Sequence, residues 1–375
     1  MKRCVVCPDK FGYYTVGDRK TFSKIEALEW QQHSGLWPHW NFNQNTFQSI
    51  NWTQEPCLDL WTLYRARARQ IRESYDYCVL FYSGGSDSHN LLTAWIDEGC
   101  HIDEVATFHY IGGGKNTQSF MNAEVVNAAI PIVQSLQQKI NFKHRLIDIS
   151  QDINDLIQIY SDDFKYLMTK HMSPNNHAKI FWRDRIEEWS TLISQGKKLC
   201  FVWGSDKPQI FYDDKFYVQF FDIVDNCVGP HSQLNWHRGY FDELFYWTPD
   251  MPEIIVKQAH KVMTFCKHIH EPTFYQPQPS PFGYNPTLKQ YVTANTIKLI
   301  LYPKWDPATF CDGKTASTLW SDRDTWFIHG NTTESRVYRE MSISAMRQIH
   351  GYWLNDCNDF SKGIKSHASP RYYLE

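Results

Sequence analysis

The chain of 375 residues has no long uninterrupted apolar run. A helix needs about 20 apolar residues to cross a bilayer. The opening segment Met1–Pro8 also lacks the apolar core of a signal peptide. We therefore expect a cytoplasmic protein that does not associate with membranes.

Excess charge of either sign is also lacking. The 38 basic and 41 acidic residues leave a net charge of −3. This balance predicts no strong general affinity for nucleic acids, although a local basic patch would still allow one. A nucleic-acid partner is therefore the less favoured hypothesis, and a small-molecule substrate is the favoured one.

Paired cysteine motifs are scarce. The ten cysteines are scattered, which fits a reducing compartment better than a disulfide framework. Cys4 and Cys7 have the spacing of a zinc knuckle or a redox pair, but no second Cys-x-x-Cys is present. Buried or unreactive thiols are the favoured interpretation, and a structural zinc site is the alternative.

The chain is long enough for several folded units. Its residues are 42% hydrophobic and 21% charged, as in ordinary globular proteins, and two or three domains of about 150 residues would fit its length. We predict a small α+β region at 1–75, an α/β domain at 76–229 and a mostly helical lobe at 230–375.

The N-terminal region predicts two helices and a hairpin. Phe11–Val16 and the Gly-Asp turn after it suggest the hairpin, and a capping box at Ser23 begins a helix that Gly35 ends. We predict a loop at Trp37–Asn43 and a second helix at about Leu58–Ser74.

On that second helix, three arginines fall on one face at i, i+4 and i+7 spacing: Arg65, Arg69 and Arg72. A solvated face is the favoured interpretation. Contact with phosphates or with an acidic partner is the alternative.

From Tyr77 onward, predicted strands alternate with predicted helices, which indicates a parallel sheet with crossover helices. The predicted strands are Tyr77–Tyr82, Glu104–Tyr110, His144–Asp148 and Leu199–Trp203. The predicted helices are Ser86–Glu98, about 119–138, 152–166 and 178–195, and Glu253–Ile269. In such a sheet, ligands bind beyond the carboxyl ends of the strands, near the point where the strand order reverses.

The first of these strands ends in a loop with the sequence Ser83-Gly84-Gly85-Ser86-Asp87-Ser88. Its glycines let the backbone approach a ligand, and its serines supply hydroxyl groups. A helix that begins there directs amide groups and its positive dipole end toward the ligand. We therefore predict a phosphate or pyrophosphate site. It is not a Walker A loop, because no Gly-Lys-Ser/Thr sequence closes it.

These six residues resemble the Ser-Gly-Gly-x-Asp-Ser loop of the ATP pyrophosphatase superfamily, and most closely the synthetase domain of asparagine synthetase. The resemblance implies an α/β fold of the adenine nucleotide alpha hydrolase-like, HUP type, with a parallel sheet flanked by helices in the range 76–229. It also implies ATP and Mg²⁺ as cofactors, with ATP split between its α and β phosphates.

In this interpretation the loop amides and hydroxyls hold the outer phosphates. Asp87 is the carboxylate that meets Mg²⁺, because hard cations prefer oxygen ligands. By the resemblance, Thr107 and Phe108 at the end of the second strand would border the adenine. A buried strand end is the equally favoured alternative for these two residues.

A third segment follows the strand that ends at Trp203, and it reads Gly204-Ser205-Asp206-Lys207. Asparagine synthetase has Gly-x-Gly-x-Asp-Glu at the comparable place, so the match is partial. The resemblance makes Asp206 a second Mg²⁺ ligand, and Gly204 would allow close approach of the nucleotide. Lys207 would neutralise charge on the leaving pyrophosphate. A surface turn is the alternative.

Together these segments predict an AMP-forming ligase. A substrate carboxylate or carbonyl oxygen would be adenylated, and a nitrogen nucleophile would then displace AMP. We expect no glutaminase activity, because Lys2 and Arg3 precede Cys4 and the first quarter is too short for such a domain. Free ammonia, an amine or a separate glutaminase would supply the nitrogen.

Two rival hypotheses stay open. One is a tRNA- or nucleobase-modifying member of the superfamily, and the other is a nucleotide-binding accessory protein without turnover. A sulfonucleotide reductase is not favoured, because Cys357 does not stand in a Glu-Cys-Gly motif. The sequence predicts neither the substrate nor the oligomeric state.

Overall fold

The computed structural model describes residues 8–21, 24–109, 125–149, 183–204, 210–220, 239–269, 297–306 and 369–375, and single residues at 331, 333 and 336. The strands in these ranges are β1 (Tyr13–Val16), β2 (Arg19–Thr21), β3 (His39–Asn41), β4 (Tyr77–Phe81), β5 (Glu104–His109), β6 (Lys143–Asp148), β7 (Leu199–Trp203), β8 (Ile210–Asp213), β9 (Lys215–Val218), β10 (Tyr240–Leu244) and β11 (Tyr372–Tyr373).

The helices in the same ranges are α1 (Lys24–Ser34), α2 (Gln44–Ser49), α3 (Leu60–Ser74), α4 (Ser86–Asp97), α5 (Ile130–Gln137), α6 (Glu187–Ser194) and α7 (Glu253–His268). A π-helical turn, Val125–Ala129, leads directly into α5. None of the helices in the described ranges is long and apolar enough to cross a bilayer.

The central sheet has five strands in the described residues, in the order β10-β7-β4-β5-β6, and all of them run parallel. Four of the five residues of β4 and all five residues of β7 are buried. Strands covered on both faces have continuous apolar sequences, which is why these two were predictable. The predicted α/β fold with a parallel sheet flanked by helices is confirmed.

The strand order reverses next to β4. The chain passes from β4 to β5 and β6 on one side, and then returns to place β7 and β10 on the other side. The connections that follow β4 and β7 therefore lead to opposite sides of the sheet, and it is beside such a point that open parallel sheets bind ligands. This is the position of the glycine-rich loop.

The N-terminal region contains a small antiparallel sheet in the order β2-β1-β3. The predicted hairpin is confirmed as β1 and β2, and the two predicted helices as α1 and α3. The prediction of a loop at Trp37–Asn43 is wrong for the residues of β3, because this strand pairs with β1. Trp40 on β3 is buried and its ring packs 4.9 Å from that of Tyr14. Burial of this aromatic side chain drives the pairing.

The range 230–375 contains the predicted helix α7, and it also supplies the fifth strand of the central sheet, β10. This strand carries Asp242 and Glu243. Two adjacent carboxylates are not typical of a buried strand, so the sequence pattern did not predict it. Asp242 is buried because Arg183 pairs with it at 2.7 Å. Whether the ranges 1–75, 76–229 and 230–375 fold as separate units stays a prediction.

A third sheet in the described residues, antiparallel with the order β11-β9-β8, was also missed from sequence. The helix predicted at 152–166 lies outside the described residues, as do Cys4 and Cys7. The helices predicted at about 119–138 and 178–195 are described only in part, as the π-helical turn with α5 and as α6.

The arginine face of α3 contacts acidic residues of the chain itself. Arg65 and Arg69 both pair with Glu98, which follows α4, and Arg72 pairs with Asp103. The arginine side chains at 65 and 69 are about half exposed, so solvent and salt screen these pairs and each contributes little to stability. The arginines therefore help to join α3 to the sheet.

A buried ion cluster joins the N-terminal region to the sheet more firmly. Glu243 on β10 lies 2.7 Å from the ammonium group of Lys10 and 2.7 Å from the guanidinium group of Arg67 on α3. It also accepts a hydrogen bond from the hydroxyl of Tyr75. Although burial alone would raise the pKa of Glu243, the two cations outweigh it and lower that pKa to about 2.

This shift predicts a specific pH dependence of stability. Since the folded pKa lies below the ordinary value of 4.5, the stabilisation is present above pH 4.5 and is lost as the pH falls towards 2. We expect the stability of wild type to fall by about 3 kcal/mol more than that of Glu243→Gln across this window. Urea unfolding at several pH values measures the difference. Parallel pH profiles for the two proteins would contradict the assignment.

Candidate functional site

The loop that joins β4 to α4 requires glycine at its centre. Gly84 has a φ of +80°, a conformation that costs other residues energy. A Cβ atom there would lie 2.9 Å from the backbone nitrogen of Ala129 and 3.1 Å from the Cβ atom of Ala128. The loop is therefore pressed against the π-helical turn, so the close approach at Gly84 is to the protein's own backbone.

Substitution of Gly84 should be more costly than substitution of a glycine that differs only in its surroundings. Gly99 has a similar φ of +71°, but no atom within 4 Å of an added Cβ. We expect Gly99→Ala to lower the free energy of unfolding by about 1–2 kcal/mol, because alanine is strained in this backbone conformation. Gly84→Ala should lower it by about 1–3 kcal/mol more, because the added Cβ atom would also clash with Ala129. Denaturant unfolding of both variants tests this. Equal losses would mean that the loop can move away from the π-helical turn.

The serines of the loop differ in their roles. The Ser88 hydroxyl accepts a hydrogen bond from the Ser83 amide at 3.2 Å and donates one to the Gly85 carbonyl at 3.1 Å. It therefore holds the loop in its turn. Ser83 is exposed, whereas the hydroxyl of Ser86 is buried and has no hydrogen-bond partner among the described residues. A buried hydroxyl without a partner costs free energy, and a bound ligand or a water molecule would remove that cost.

Helix α4 begins directly at this loop. Gly85 is its N-cap residue and has no side chain to cap the helix, and the amide of His89 donates to the Gly85 carbonyl at 2.9 Å. The amides before His89 have no carbonyl one turn earlier to bond with. They lie at the positive end of the dipole of a 12-residue helix. Backbone groups in this arrangement bind anions.

Asp87 is in the first turn of α4 and is half-buried. Its carboxylate oxygen Oδ1 accepts a hydrogen bond from the hydroxyl of Tyr302. Its main-chain carbonyl accepts another from the hydroxyl of Tyr246 at 2.8 Å. Burial, together with the charge of Asp87, raises the pKa of Tyr302 well above its ordinary value, so this phenol stays a hydrogen-bond donor.

His89 adds no positive charge to the loop. Its Nδ1 atom lies 3.1 Å from the hydroxyl of Tyr82, the last residue before the loop. Burial lowers the pKa of His89 to about 4, so the ring is neutral at neutral pH. Attraction of an anion to this loop therefore comes from the amides of α4 and not from His89.

Gly204, which follows β7, lies against the first turn of α4. A Cβ atom at Gly204 would be 3.0 Å from the Cα atom of Ser88 and 3.1 Å from the carbonyl oxygen of Asp87. Glycine is needed here because the end of β7 packs on the backbone of the loop helix. Ser205, Asp206 and Lys207 lie outside the described residues.

Thr107 lies inside the sheet, beside the beginning of the loop. It is only 1% exposed, and its hydroxyl donates to the Tyr82 carbonyl at 2.8 Å and lies 3.2 Å from Nε2 of His144. The Tyr82 amide donates to the Ala106 carbonyl at 2.8 Å. The side chain of Thr107 thus fixes the start of the loop relative to β5 and β6.

Phe108 belongs to a row of stacked rings across the carboxyl ends of three neighbouring strands. Its ring lies 5.0 Å from that of Phe81 on β4, which in turn lies 4.0 Å from that of Trp203 on β7 at an interplanar angle of 3°. We call Phe108, Phe81 and Trp203 the aromatic row. Phe108 is half-buried, whereas Phe81 and Trp203 are buried.

The sequence did not indicate every residue that contacts Asp87. Tyr302 is 215 positions away from Asp87 along the chain, and neither it nor Tyr246 stands in a motif. The aromatic row had a weak signal, since three of the predicted strands carry an aromatic residue at or near their carboxyl ends: Phe81, Phe108 and Trp203.

Among the described residues, no group of three or more His, Cys, Asp or Glu side chains is arranged to hold a metal ion. Asp206, the second carboxylate predicted to bind Mg²⁺, lies outside the described residues. Asp87 fits the chemistry of Mg²⁺ as far as one ligand can, since it offers a carboxylate oxygen beside the predicted phosphate site.

No protein-family model matches the chain, and no curated protein sequence matches it. The interpretation of the site depends on the residues of the loop and on their position in the sheet.

Proposed function

We propose that the protein is an ATP-dependent, AMP-forming ligase that resembles the synthetase domain of asparagine synthetase. One observation carries this proposal. The loop Ser83–Ser88 joins a strand to a helix N-terminus at the point where the strand order of a parallel sheet reverses, which is where such sheets bind ligands.

The outer phosphates of ATP fit the loop by charge and by hydrogen bonding. The first amides of α4 supply donors, and the exposed Ser83 hydroxyl and the unpartnered Ser86 hydroxyl supply two more groups. The helix dipole is equivalent to about half a positive charge at this end. No Lys or Arg side chain of the loop is required for this attraction.

The cation of the proposed site is Mg²⁺, held by Asp87 and Asp206. When bound there, it would neutralise phosphate charge and so favour departure of pyrophosphate. Lys207 would add a further positive charge to the leaving group. Asp206 and Lys207 are assigned by resemblance to the family, and Asp87 also by its place beside the helix amides.

The aromatic row supports the proposed place of the adenine. A nucleobase is planar and stacks on aromatic faces, and Phe108 is half-buried whereas Phe81 and Trp203 are buried. Thr107 would act indirectly, since its hydroxyl bonds to the Tyr82 carbonyl and so fixes the strand end beneath the base.

The reaction follows from a nucleotide held in this way. A carboxylate or carbonyl oxygen of the substrate attacks the α phosphorus of ATP. The bond between this phosphorus and the oxygen that bridges the α and β phosphates then breaks, and pyrophosphate leaves. Ammonia or an amine then attacks the activated carbon, and AMP leaves with the bonding electron pair. The protein contributes positioning and charge stabilisation, and no covalent nucleophile of its own is needed.

The deciding experiment follows the fate of labelled ATP. Purified protein is incubated with Mg²⁺, with ATP labelled at the α or the γ phosphate, and with pools of carboxylic acids, amines and ammonium. We expect AMP and pyrophosphate in equal amounts, formed only with a productive pool. ADP and phosphate as products would contradict the proposal.

The same screen, extended with pools of tRNA and of nucleosides, separates the rival hypotheses. Turnover only with tRNA or nucleosides would place the protein with the base-modifying enzymes. Tight ATP binding without turnover in any pool would indicate an accessory nucleotide-binding protein.

A further inference from the structure

Three tyrosines pack together behind the first turn of α4. Tyr64 comes from α3, Tyr246 follows β10, and Tyr302 comes from the segment 297–306; all three are fully buried. The ring centroids of Tyr64 and Tyr246 are 5.4 Å apart, and those of Tyr246 and Tyr302 are 5.7 Å apart. We call these three residues the tyrosine cluster.

The tyrosine cluster holds Asp87 at two points. Tyr302 donates to the carboxylate oxygen Oδ1, and Tyr246 donates to the main-chain carbonyl. The Tyr246 hydroxyl is itself fixed, because it accepts a hydrogen bond from Nδ2 of the buried Asn90 at 2.9 Å. Both the backbone and the side chain of Asp87 are therefore restrained by groups outside the loop.

Tyr302 is in turn held in place by its own surroundings. The hydroxyl of Tyr64 donates to the carbonyl of the preceding residue, Leu301, at 3.0 Å, and Gln258 on α7 donates to that hydroxyl at 2.9 Å. The Tyr302 amide also bonds to the Lys298 carbonyl at 2.7 Å. Residues from two helices of the core thus determine where the phenol points.

We infer that Tyr302 is a positioning residue for the cation site of the proposed ligase. The phenol engages Oδ1 and restricts rotation of the Asp87 carboxylate, so that this carboxylate would be held in one orientation for the cation that accompanies ATP. The segment 297–306 thereby becomes part of the nucleotide site, although it is far from the loop in sequence. This inference rests on the proposed function, because it concerns the cation that accompanies ATP.

The test compares two variants that each remove one buried phenol bonded to a carboxylate. Tyr302→Phe removes the hydroxyl on Asp87, and Tyr75→Phe removes the hydroxyl on Glu243. ATP binding by the full chain is titrated against Mg²⁺ by calorimetry and is also measured in EDTA. Unfolding of both variants is recorded to compare their stabilities.

We expect Tyr302→Phe to raise the Mg²⁺ concentration for half-maximal ATP binding by about 10-fold or more, the usual effect of losing a hydrogen bond to a metal ligand. ATP binding in EDTA should not change. Tyr75→Phe should lose similar stability and keep the wild-type Mg²⁺ requirement.

Three results would overturn the inference. An unchanged Mg²⁺ requirement in Tyr302→Phe would do so while leaving the proposed function intact. An equal rise of the Mg²⁺ concentration for half-maximal ATP binding in Tyr302→Phe and Tyr75→Phe would show that the effect comes from lost stability alone. Wild-type protein that binds ATP without any dependence on Mg²⁺, or does not bind it, would overturn both the inference and the cation site of the proposed function.

Discussion

Asp87→Asn is expected to lower pyrophosphate release from ATP by about 10²- to 10³-fold, the usual effect of removing one stabilising group from a charged transition state. The amide has the size of the carboxylate and can still accept the hydrogen bond from Tyr302. It lacks the negative charge that a divalent cation needs from its ligand. The loss should therefore appear in turnover and not in folding. Initial rates at saturating ATP and a range of Mg²⁺ concentrations measure it.

The structure also explains why asparagine is a better replacement than alanine. Asp87→Ala would leave the buried Tyr302 hydroxyl without its acceptor, at a cost of about 1–3 kcal/mol, so a loss of activity could reflect a loss of fold. Asp97→Asn is the matched control, because it makes the same change at the other end of α4, on a side chain 34% exposed. It should keep wild-type turnover. Equal activity of both asparagine variants would contradict the role of Asp87.

The sequence predicted the part of the site that is built from neighbours along the chain. The run Tyr77–Tyr82 is apolar because both faces of β4 are covered, and Gly84 after it has a positive φ that other residues adopt only at a cost. The helix after the turn begins at Ser86, as predicted. Local patterns were sufficient here because strand, loop and helix N-terminus are consecutive.

What the sequence could not predict are the contacts made across the fold. Gly84 is required partly because Ala129 is close, and nothing near Gly84 in the sequence indicates that neighbour. Tyr302 meets Asp87 across 215 positions of the chain. The strand β10 carries two carboxylates, and its burial depends on cations supplied by other elements. Each of these features depends on pairs of residues that are distant in the chain.

The arginines of α3 illustrate this limit. The spacing of the three arginines at 65, 69 and 72 indicates an exposed face. Arg67, in contrast, lies on the opposite, apolar face of the helix with Leu63 and Tyr64. It is 1% exposed. A charged residue in the middle of an apolar face indicates a buried partner, and that partner is Glu243, which is 176 positions away.

Arg67→Met should therefore be among the most destabilising single changes in the chain. Methionine has similar length and a good helix propensity, but it leaves Glu243 with one cation, Lys10, in place of two. It also leaves the Leu244 carbonyl without the guanidinium group that donates to it at 3.0 Å. We expect a loss of about 3 kcal/mol in the free energy of unfolding, because removing one partner of a buried ion pair leaves charge uncompensated.

Arg69→Met is the matched control for this change. It makes the same substitution on the same helix, two residues away, at a side chain that is 59% exposed and pairs with Glu98. Solvent screens the exposed guanidinium group of Arg69, so its pair contributes little to stability. Guanidinium chloride unfolding should therefore separate the two variants clearly. Similar midpoints would show that Lys10 and Tyr75 alone compensate Glu243. The clear separation that we expect would instead establish Arg67 as the link by which α3 fixes β10, and with it the edge of the sheet next to β7.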